Sequence, residues 1–257
     1  MKERYQILEN FANKNIFQIS IDLRDDLKPL LDARKSLIKK NPDWNYYLIK
    51  TKKDLDDFML DNFGESSNDF EKSIYDAYLK IPNIIGYNEK AMATSGEERE
   101  EVHRVCGLVA QTDIFRTAAV YKFGGVYCDL SSYLSLDLNK YFACRDATFF
   151  ECGKELRSSV FFAKKSDAFI KGLLKVQVKN CLESRSANQM QIAGPACFTT
   201  FAKFVWPGQN GHNLKIYNEH PFKDIGWKMV ADWKKDLHIK DPKNPNKKVN
   251  THWLCKY

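Results

Sequence analysis

The stretch from Glu101 to Phe123 constrains the chain most. Val105, Leu108, Val109, Ile114, Phe115, Ala118, Ala119 and Val120 surround it on nearly every side at helical spacing, and a helix apolar all round has to lie inside a core. Gly124-Gly125 stops it, glycine being suited to a left-handed cap, and Val126-Tyr127-Cys128 resumes as a short strand. Two charges, Asp113 and Arg116, sit three residues apart on one face of this helix. On a surface such a pair is worth roughly 0.2–0.5 kcal/mol. Among apolar neighbours an unpaired charge is far more costly, so partners are expected. The helix rises about 15 Å from Asp113 to Phe123, and the strand covers about 13 Å from Gly125 to Asp129. A strand packed antiparallel to the helix therefore brings Asp113, Arg116 and Asp129 together at one end.

The rest of the chain alternates. Residues 16–21 read as a first strand, residues 24–39 as an amphipathic helix with Leu27, Leu30, Leu31, Ala33, Leu37 and Ile38 on its apolar face, and Asn41-Pro42-Asp43 as a turn. Tyr46 to Ile49 then forms a second strand, and Leu55, Phe58, Met59 and Phe63 mark a second helix. A βαβα opening predicts an α/β fold, with a mixed Rossmann-like central sheet flanked by helices and a site at the carboxyl ends of strands. Residues 82–101 read as irregular. Further strands are expected at 147–151 and 160–163, a helix at 167–181, and a Gly194-Pro195 loop leading into a helix through Phe204. With 257 residues, no internal repeat and no low-complexity linker, the chain is expected to be one domain over 1–257.

Composition removes several function classes. No apolar run reaches the roughly 18–20 residues of a membrane-spanning helix, and the charged Met1-Lys2-Glu3-Arg4 start lacks a signal peptide's apolar stretch. The expectation is a soluble, cytoplasmic protein, with peripheral membrane contact left open. Seven scattered cysteines without a Cys-x-x-Cys pair read as reduced, mostly buried thiols. The net charge of +7 comes largely from residues 221–257, where nine Lys face four Asp. No nucleic-acid reading module accompanies those lysines, so a solvated surface is expected and no nucleic-acid partner. Phosphate-cradling glycine loops and a nucleophile elbow are also missing from the sequence, which removes kinase, dehydrogenase and hydrolase readings.

The run Asp113-x-x-Arg116 followed by Gly124-Gly125-x-Tyr127-x-Asp129-x-Ser131 resembles glycosyltransferase family 32, whose pattern ends in Asp-x-Asp. Asn41-Pro42-Asp43-Trp44-Asn45-Tyr46-Tyr47-Leu48 is similar to the family's Asn-Pro-x-Trp-x-Tyr-x-Leu, Ala193-Gly194-Pro195 to its Thr-Gly-Pro loop, and His252-Trp253 to its closing His-Trp. The family includes yeast-type mannosyltransferases and capsular polysaccharide enzymes, and shares its motif with the large clostridial glucosylating toxins. The resemblance implies an A-type glycosyltransferase fold, a nucleoside diphosphate sugar donor, a glycan or other hydroxyl acceptor, Mn²⁺ or Mg²⁺ as cofactor, and retention of anomeric configuration. Carried over by residue, it implies that Asp113, Arg116, Tyr127 and Asp129 hold the donor, with Gln18 and Gly194 beside it, and that Asp113, Arg116 and Asp129 serve catalysis. The metal would lie on Asp129, Ser131 and His252.

Two positions depart from the family pattern. Ser131 replaces the second aspartate, and a neutral hydroxyl is a weaker ligand for a hard cation than a carboxylate. Ile19-Ser20 follows Gln18 where the family often carries Trp. The competing reading is therefore a catalytically silent sugar-nucleotide or glycan-binding protein. Ser158-Ser159 could face an acceptor, although paired serines usually mark turns. Residues 241–257 are expected to form a lid over the donor, with 241–250 as a loop that orders on binding.

Overall fold

The computed structural model describes residues 13–21, 28–85, 96–129, 132–134, 137–139, 147–152, 155–184, 189–205, 215–218, 227–229, 239–240 and 248–249. Strand β1 (Asn15–Ile19), helix α1 (Lys28–Lys40) and strand β2 (Asn45–Ile49) form a βαβ unit in which β1 and β2 pair in parallel, Asn15 opposite Asn45. Helix α2 (Lys52–Met59) opens with a capping box, the Thr51 hydroxyl accepting from the Asp54 N–H while the Asp54 carboxylate accepts from the Thr51 N–H. It continues as a π-helical turn, Leu60–Gly64. Helix α3 (Asp69–Ile84) follows, capped by the Asn68 side chain, and then the long helix α4 (Gly96–Phe123).

Strands β3 (Gly125–Cys128), β4 (Ser132–Leu134), β5 (Thr148–Cys152) and β6 (Glu155–Ala163) come next, then helix α5 (Ala168–Glu183). Two short helices, α6 (Gln189–Ile192) and α7 (Pro195–Thr200), lead into a second π-helical turn, Phe201–Val205. The described segments end with β7 (Lys215–Asn218), β8 (Trp227–Met229), β9 (Ile239–Lys240) and β10 (Lys248–Val249).

The central sheet has the order β2-β1-β3-β6-β5-β7, with β6 alone running against the other strands. β4 pairs with β8 and β9 with β10 in separate two-stranded ladders. The chain leaves β1 for β2 on one side and returns to β3 on the other, so the connection reverses between β1 and β3. In open α/β sheets that reversal is where ligands enter, beyond the carboxyl ends of the strands.

Alternation along the strands divides two cores. Phe17, Ile19, Tyr127 and Phe161 face the larger one, built with α2, α3, α4, α5 and α7 and including Phe58, Phe115 and Phe123. Ile16, Val126, Cys128, Val160 and Phe162 face a smaller one with Leu37, Trp44 and Leu138. From Val105 to Phe123 the side chains of α4 are almost all buried, which the all-round apolar pattern requires. The A-type expectation of a mixed sheet flanked by helices holds.

Sequence reading did not place helix α3, and it missed the start of α4. Residues 82–84 complete α3 and residues 96–101 begin α4, where an irregular segment was expected. Pro82 lies inside α3, where proline removes a donor from an interior turn. The carbonyl of Tyr78, four residues earlier, accepts instead from the Gln111 side-chain amide of α4 at 3.2 Å. Lys248–Val249 also differs from expectation, being a strand paired with Ile239–Lys240 within the segment read as a loop. The remainder of 241–257, with its expected lid, lies outside the described residues.

The reversal between α4 and β3 needs both glycines. Gly124 has φ +69° and closes the helix by donating its N–H to Val120 O at 2.8 Å, while Gly125 has φ +121°. The exposed helix end is satisfied from the N-terminal segment, the Asn13 N–H donating to Phe123 O at 3.0 Å and the Asn15 amide to the same carbonyl at 3.3 Å. A Cβ on Gly125 would stand 2.1 Å from Asn15 O. Gly125→Ala is expected to cost about 3 kcal/mol or more, from backbone strain and collision with a fixed strand. At Gly107 a Cβ meets only Pro82, its Cα at 3.6 Å, so Gly107→Ala should be neutral or stabilising. Urea denaturation of both variants checks the contrast, and equal losses would contradict it.

Candidate functional site at the β1–β3 switch point

Arg116 occupies the centre of the cluster. The last turns of α4 lie over β3, and β3 returns antiparallel to the helix, so Asp129 arrives beside Arg116 as the spacing required. Arg116 Nη2 is 3.0 Å from Asp113 Oδ1, and Nη1 is 3.8 Å from Asp129 Oδ1. Nη1 also donates to Ser158 O at 2.9 Å and to Ser158 Oγ at 3.1 Å, while Nε–H donates to Thr112 O at 3.5 Å. The guanidinium lies 4.7 Å from the centre of the Tyr127 ring. A guanidinium carries five N–H groups, and these contacts leave one on Nη2 without a partner among the described residues.

The burial makes this arrangement matter. Asp113 is 1% exposed and Arg116 8%. Burial pulls the guanidinium toward neutrality, and Tyr127, Asp113 and Asp129 more than reverse that, so Arg116 stays charged. Burial pushes the Tyr127 phenol well above its ordinary value, against the pull of Arg116 and aided by Asp129. Tyr127 therefore keeps its proton and donates it to Asp129 Oδ1 at 2.7 Å. Two carboxylates face one guanidinium.

The main chain of Asp129 is held as firmly as its side chain. Its N–H donates to Ser159 O at 2.7 Å, and its carbonyl accepts from the Gln18 amide at 3.4 Å. Gln18 is 3% exposed and accepts through Oε1 from the Tyr46 hydroxyl at 2.6 Å. Five of the residues expected at the site, Gln18, Asp113, Arg116, Tyr127 and Asp129, thus form one connected group. Gly194 is buried at the start of α7. Cys197 of that helix is pushed up to about 12 by burial and by the charge of Asp113, which puts α7 on the Asp113 side. Ser131 and His252 lie outside the described residues.

Ser158 is the residue that sequence reading undervalued. It sits within β6, not in a turn, and supplies two acceptors to Arg116. The signal available in the sequence was the strand pattern running on through Val160 to Ala163, which extended two residues earlier would have included Ser158. Four of the seven cysteines, Cys106, Cys128, Cys181 and Cys197, are buried free thiols, as expected. Among the described residues no group of three His, Cys, Asp or Glu side chains is arranged to hold a metal by itself, and no helix is long and apolar enough to cross a membrane.

Arg116→Ala removes the buried ion-pair partner of Asp113 and is expected to cost about 3–5 kcal/mol, the range for breaking a buried pair. The double variant Asp113→Ala/Arg116→Ala should cost less than the two single changes added together, because both single changes break the same ion pair. Chemical denaturation of the three variants measures this. An Arg116→Ala loss below about 1 kcal/mol would contradict the burial argument.

Residues 29–143, rather less than half of the chain, match the family described as "Glycosyltransferase sugar-binding region containing DXD motif". No curated protein matches the chain in sequence. Three solved structures give the scale of the structural likeness. The PaToxG glycosyltransferase is 18% identical with a TM-score of 0.45, covering 80% of this chain and 76% of its own. The UDP-bound glycosyltransferase domain from the YGT toxin is 9% identical at 0.47, covering 86% and 81%. A glycosyltransferase involved in glycosylation of the major capsid of PBCV-1 is 10% identical at 0.42, covering 84% and 94%. The matched region contains the apolar helix, the glycine pair and Asp113, Arg116, Tyr127 and Asp129, so four of the side chains gathered at the switch point lie in the part of the chain that is similar to a DXD sugar-binding region.

Proposed function

We propose that the chain, acting as one catalytic unit, transfers a hexose from a nucleoside diphosphate sugar to a hydroxyl of a glycan or other acceptor with retention at the anomeric carbon. The observation that carries this reading is the Arg116 guanidinium, fixed among Asp113, Tyr127, Ser158 and Asp129 at the switch point with one Nη2 N–H left over. That N–H donates to an oxygen of the donor sugar, and the Asp113 carboxylate accepts from a sugar hydroxyl. Tyr127 keeps Asp129 in place through its phenolic proton. Fixing the donor this way lowers the barrier by positioning, since no group has to reorganise as charge develops. The bond from the anomeric carbon to the diphosphate oxygen breaks while the bond to the acceptor oxygen forms on the same face. The acceptor's proton passes to the departing diphosphate oxygen, so no protein base is required.

The residues also suit a hard divalent cation. Asp129 offers oxygen, and Mg²⁺ or Mn²⁺ commonly uses one or two carboxylates and completes its shell with waters and substrate phosphates. Asp129, Ser131 and His252 are the residues we assign to it. When bound, such an ion neutralises charge on the leaving diphosphate. Gly194 and Gln18 belong to the donor pocket in this reading, Gln18 acting through the Asp129 carbonyl.

Screening turnover across UDP and GDP sugars with Mn²⁺ tests the proposal. Asp129→Asn should lower turnover at least about 100-fold while the melting temperature holds, because volume is kept and charge is lost. Equal turnover would sink the assignment. A parent that binds a nucleotide sugar yet neither transfers nor hydrolyses it would return the reading to a sugar-nucleotide-binding protein.

Ser131 generates a separate expectation. Ser131→Asp adds a carboxylate and should reduce the Mn²⁺ concentration for half-maximal activity by about tenfold. A parent enzyme indifferent to chelator would show that the cation is dispensable.

A further inference from the structure

The three parallel strands at the switch point carry a row of polar groups that crosses the sheet. Tyr46 of β2, Gln18 of β1 and Asp129 just beyond β3 stand on neighbouring strands, in the order β2-β1-β3. The Tyr46 hydroxyl donates to Gln18 Oε1 at 2.6 Å, and Gln18 Nε2 donates to Asp129 O at 3.4 Å. Gln18 is only 3% exposed, so bulk water is poorly placed to replace a lost partner. The Cys128 thiol also lies 3.5 Å from Asp129 O, and a thiol is a weak donor. The two ends of a glutamine amide differ in chemistry and hardly at all in shape. Tyr46 supplies a proton to the oxygen end, which leaves the N–H₂ end for the Asp129 carbonyl.

We propose that Tyr46 is a positioning residue for the donor and its cation, acting through Gln18: it holds the amide on the Asp129 carbonyl and so keeps Asp129 preformed for a nucleoside diphosphate with its metal. This role rests on the donor reading above. The other holds on Asp129 are its N–H, bonded to Ser159 O at 2.7 Å, and its carboxylate, which Tyr127 and Arg116 engage. Without the Tyr46 hydroxyl, Gln18 Oε1 loses a donor in a place nearly closed to water, which is costly. The amide relieves that cost by turning toward another donor, and the Asp129 carbonyl is released. Binding then has to return Asp129 to one position, and affinity falls accordingly.

A double-mutant cycle read by calorimetry tests the relay, with Mn²⁺ and UDP or GDP, whichever the parent binds more tightly. Tyr46→Phe removes one oxygen, keeps the ring and should raise the dissociation constant about fivefold. Gln18→Met keeps the length of the side chain without its amide and should raise the constant about tenfold. Adding Tyr46→Phe to Gln18→Met should then change it by less than about twofold, since the hydroxyl has no amide left to hold. Gln18→Leu repeats the cycle with a second side chain that lacks the amide, and melting temperatures recorded beside the constants separate folding from binding. A Tyr46→Phe that melts lower yet binds as the parent does would make the hydroxyl merely structural and overturn the proposal. So would a Tyr46→Phe that weakens binding as much on Gln18→Met as on the parent, because Tyr46 would then act by another route. A parent that binds neither nucleotide sinks the donor reading, and the role of Tyr46 with it.

Discussion

A guanidinium buried between two carboxylates is the constraint that orders the rest of this molecule. Arg116 can remain charged only because Asp113, Asp129, Tyr127 and Ser158 surround it. Those partners come from α4, from β3 and its end, and from β6. The three elements therefore have to converge to within a few ångströms, and the architecture around them makes that possible. β3 must turn back under α4 without a connecting loop, which demands the positive φ at Gly124 and Gly125. β6 must enter the sheet beside β3 and run against it, which carries Ser158 and Ser159 to the Asp129 end. A buried pair contributes little net stability compared with apolar residues of equal volume. Its presence here fits the donor-holding role proposed for it.

Secondary contacts extend this logic outward. Tyr46 fixes the Gln18 amide, and Gln18 supports the Asp129 carbonyl. Gln111, from the same apolar helix, satisfies the carbonyl that Pro82 leaves open and so ties α3 to α4. Lys122 at the end of α4 donates to Asn62 O at 2.7 Å and to Glu71 at 2.8 Å, anchoring the helix to the π-helical turn and to α3. Gln111, Asp113, Arg116 and Thr117 all enter the interior from α4, and each has a hydrogen-bond or ion-pair partner there. That is the condition under which a helix with charges and amides can lie at the centre of a core.

Much of this was legible in the sequence because it followed from periods. The all-round apolar pattern of 101–123 required a central helix, and counting rise per residue brought Asp113, Arg116 and Asp129 to one end before any fold was known. The βαβα opening gave the parallel pair β1–β2. What escaped was carried by partners distant in sequence. Helix α3 runs on through Pro82 because the donor that satisfies the Tyr78 carbonyl, Gln111, lies 29 residues beyond the proline. Ser158 looked like a turn residue because its value depends on an antiparallel pairing with β3 that no local pattern announces. The Asn41–Trp44 turn was recognisable as a motif, yet its attachment to Leu138 and Asn139 could be seen only in three dimensions.

The proposed chemistry has a consequence for the order in which ligands assemble. Asp129 already accepts the Tyr127 proton through one oxygen and is only 19% exposed at its side chain, so it can give a cation no more than part of a coordination shell. Replacement of the second motif carboxylate by Ser131 removes a charge that would otherwise hold the ion in the free enzyme. A small divalent cation that dehydrates reluctantly needs further anionic oxygen before binding is favourable, and the nucleoside diphosphate brings it. On that proposal metal and donor would bind as one unit, each raising affinity for the other by the same factor, as linkage requires.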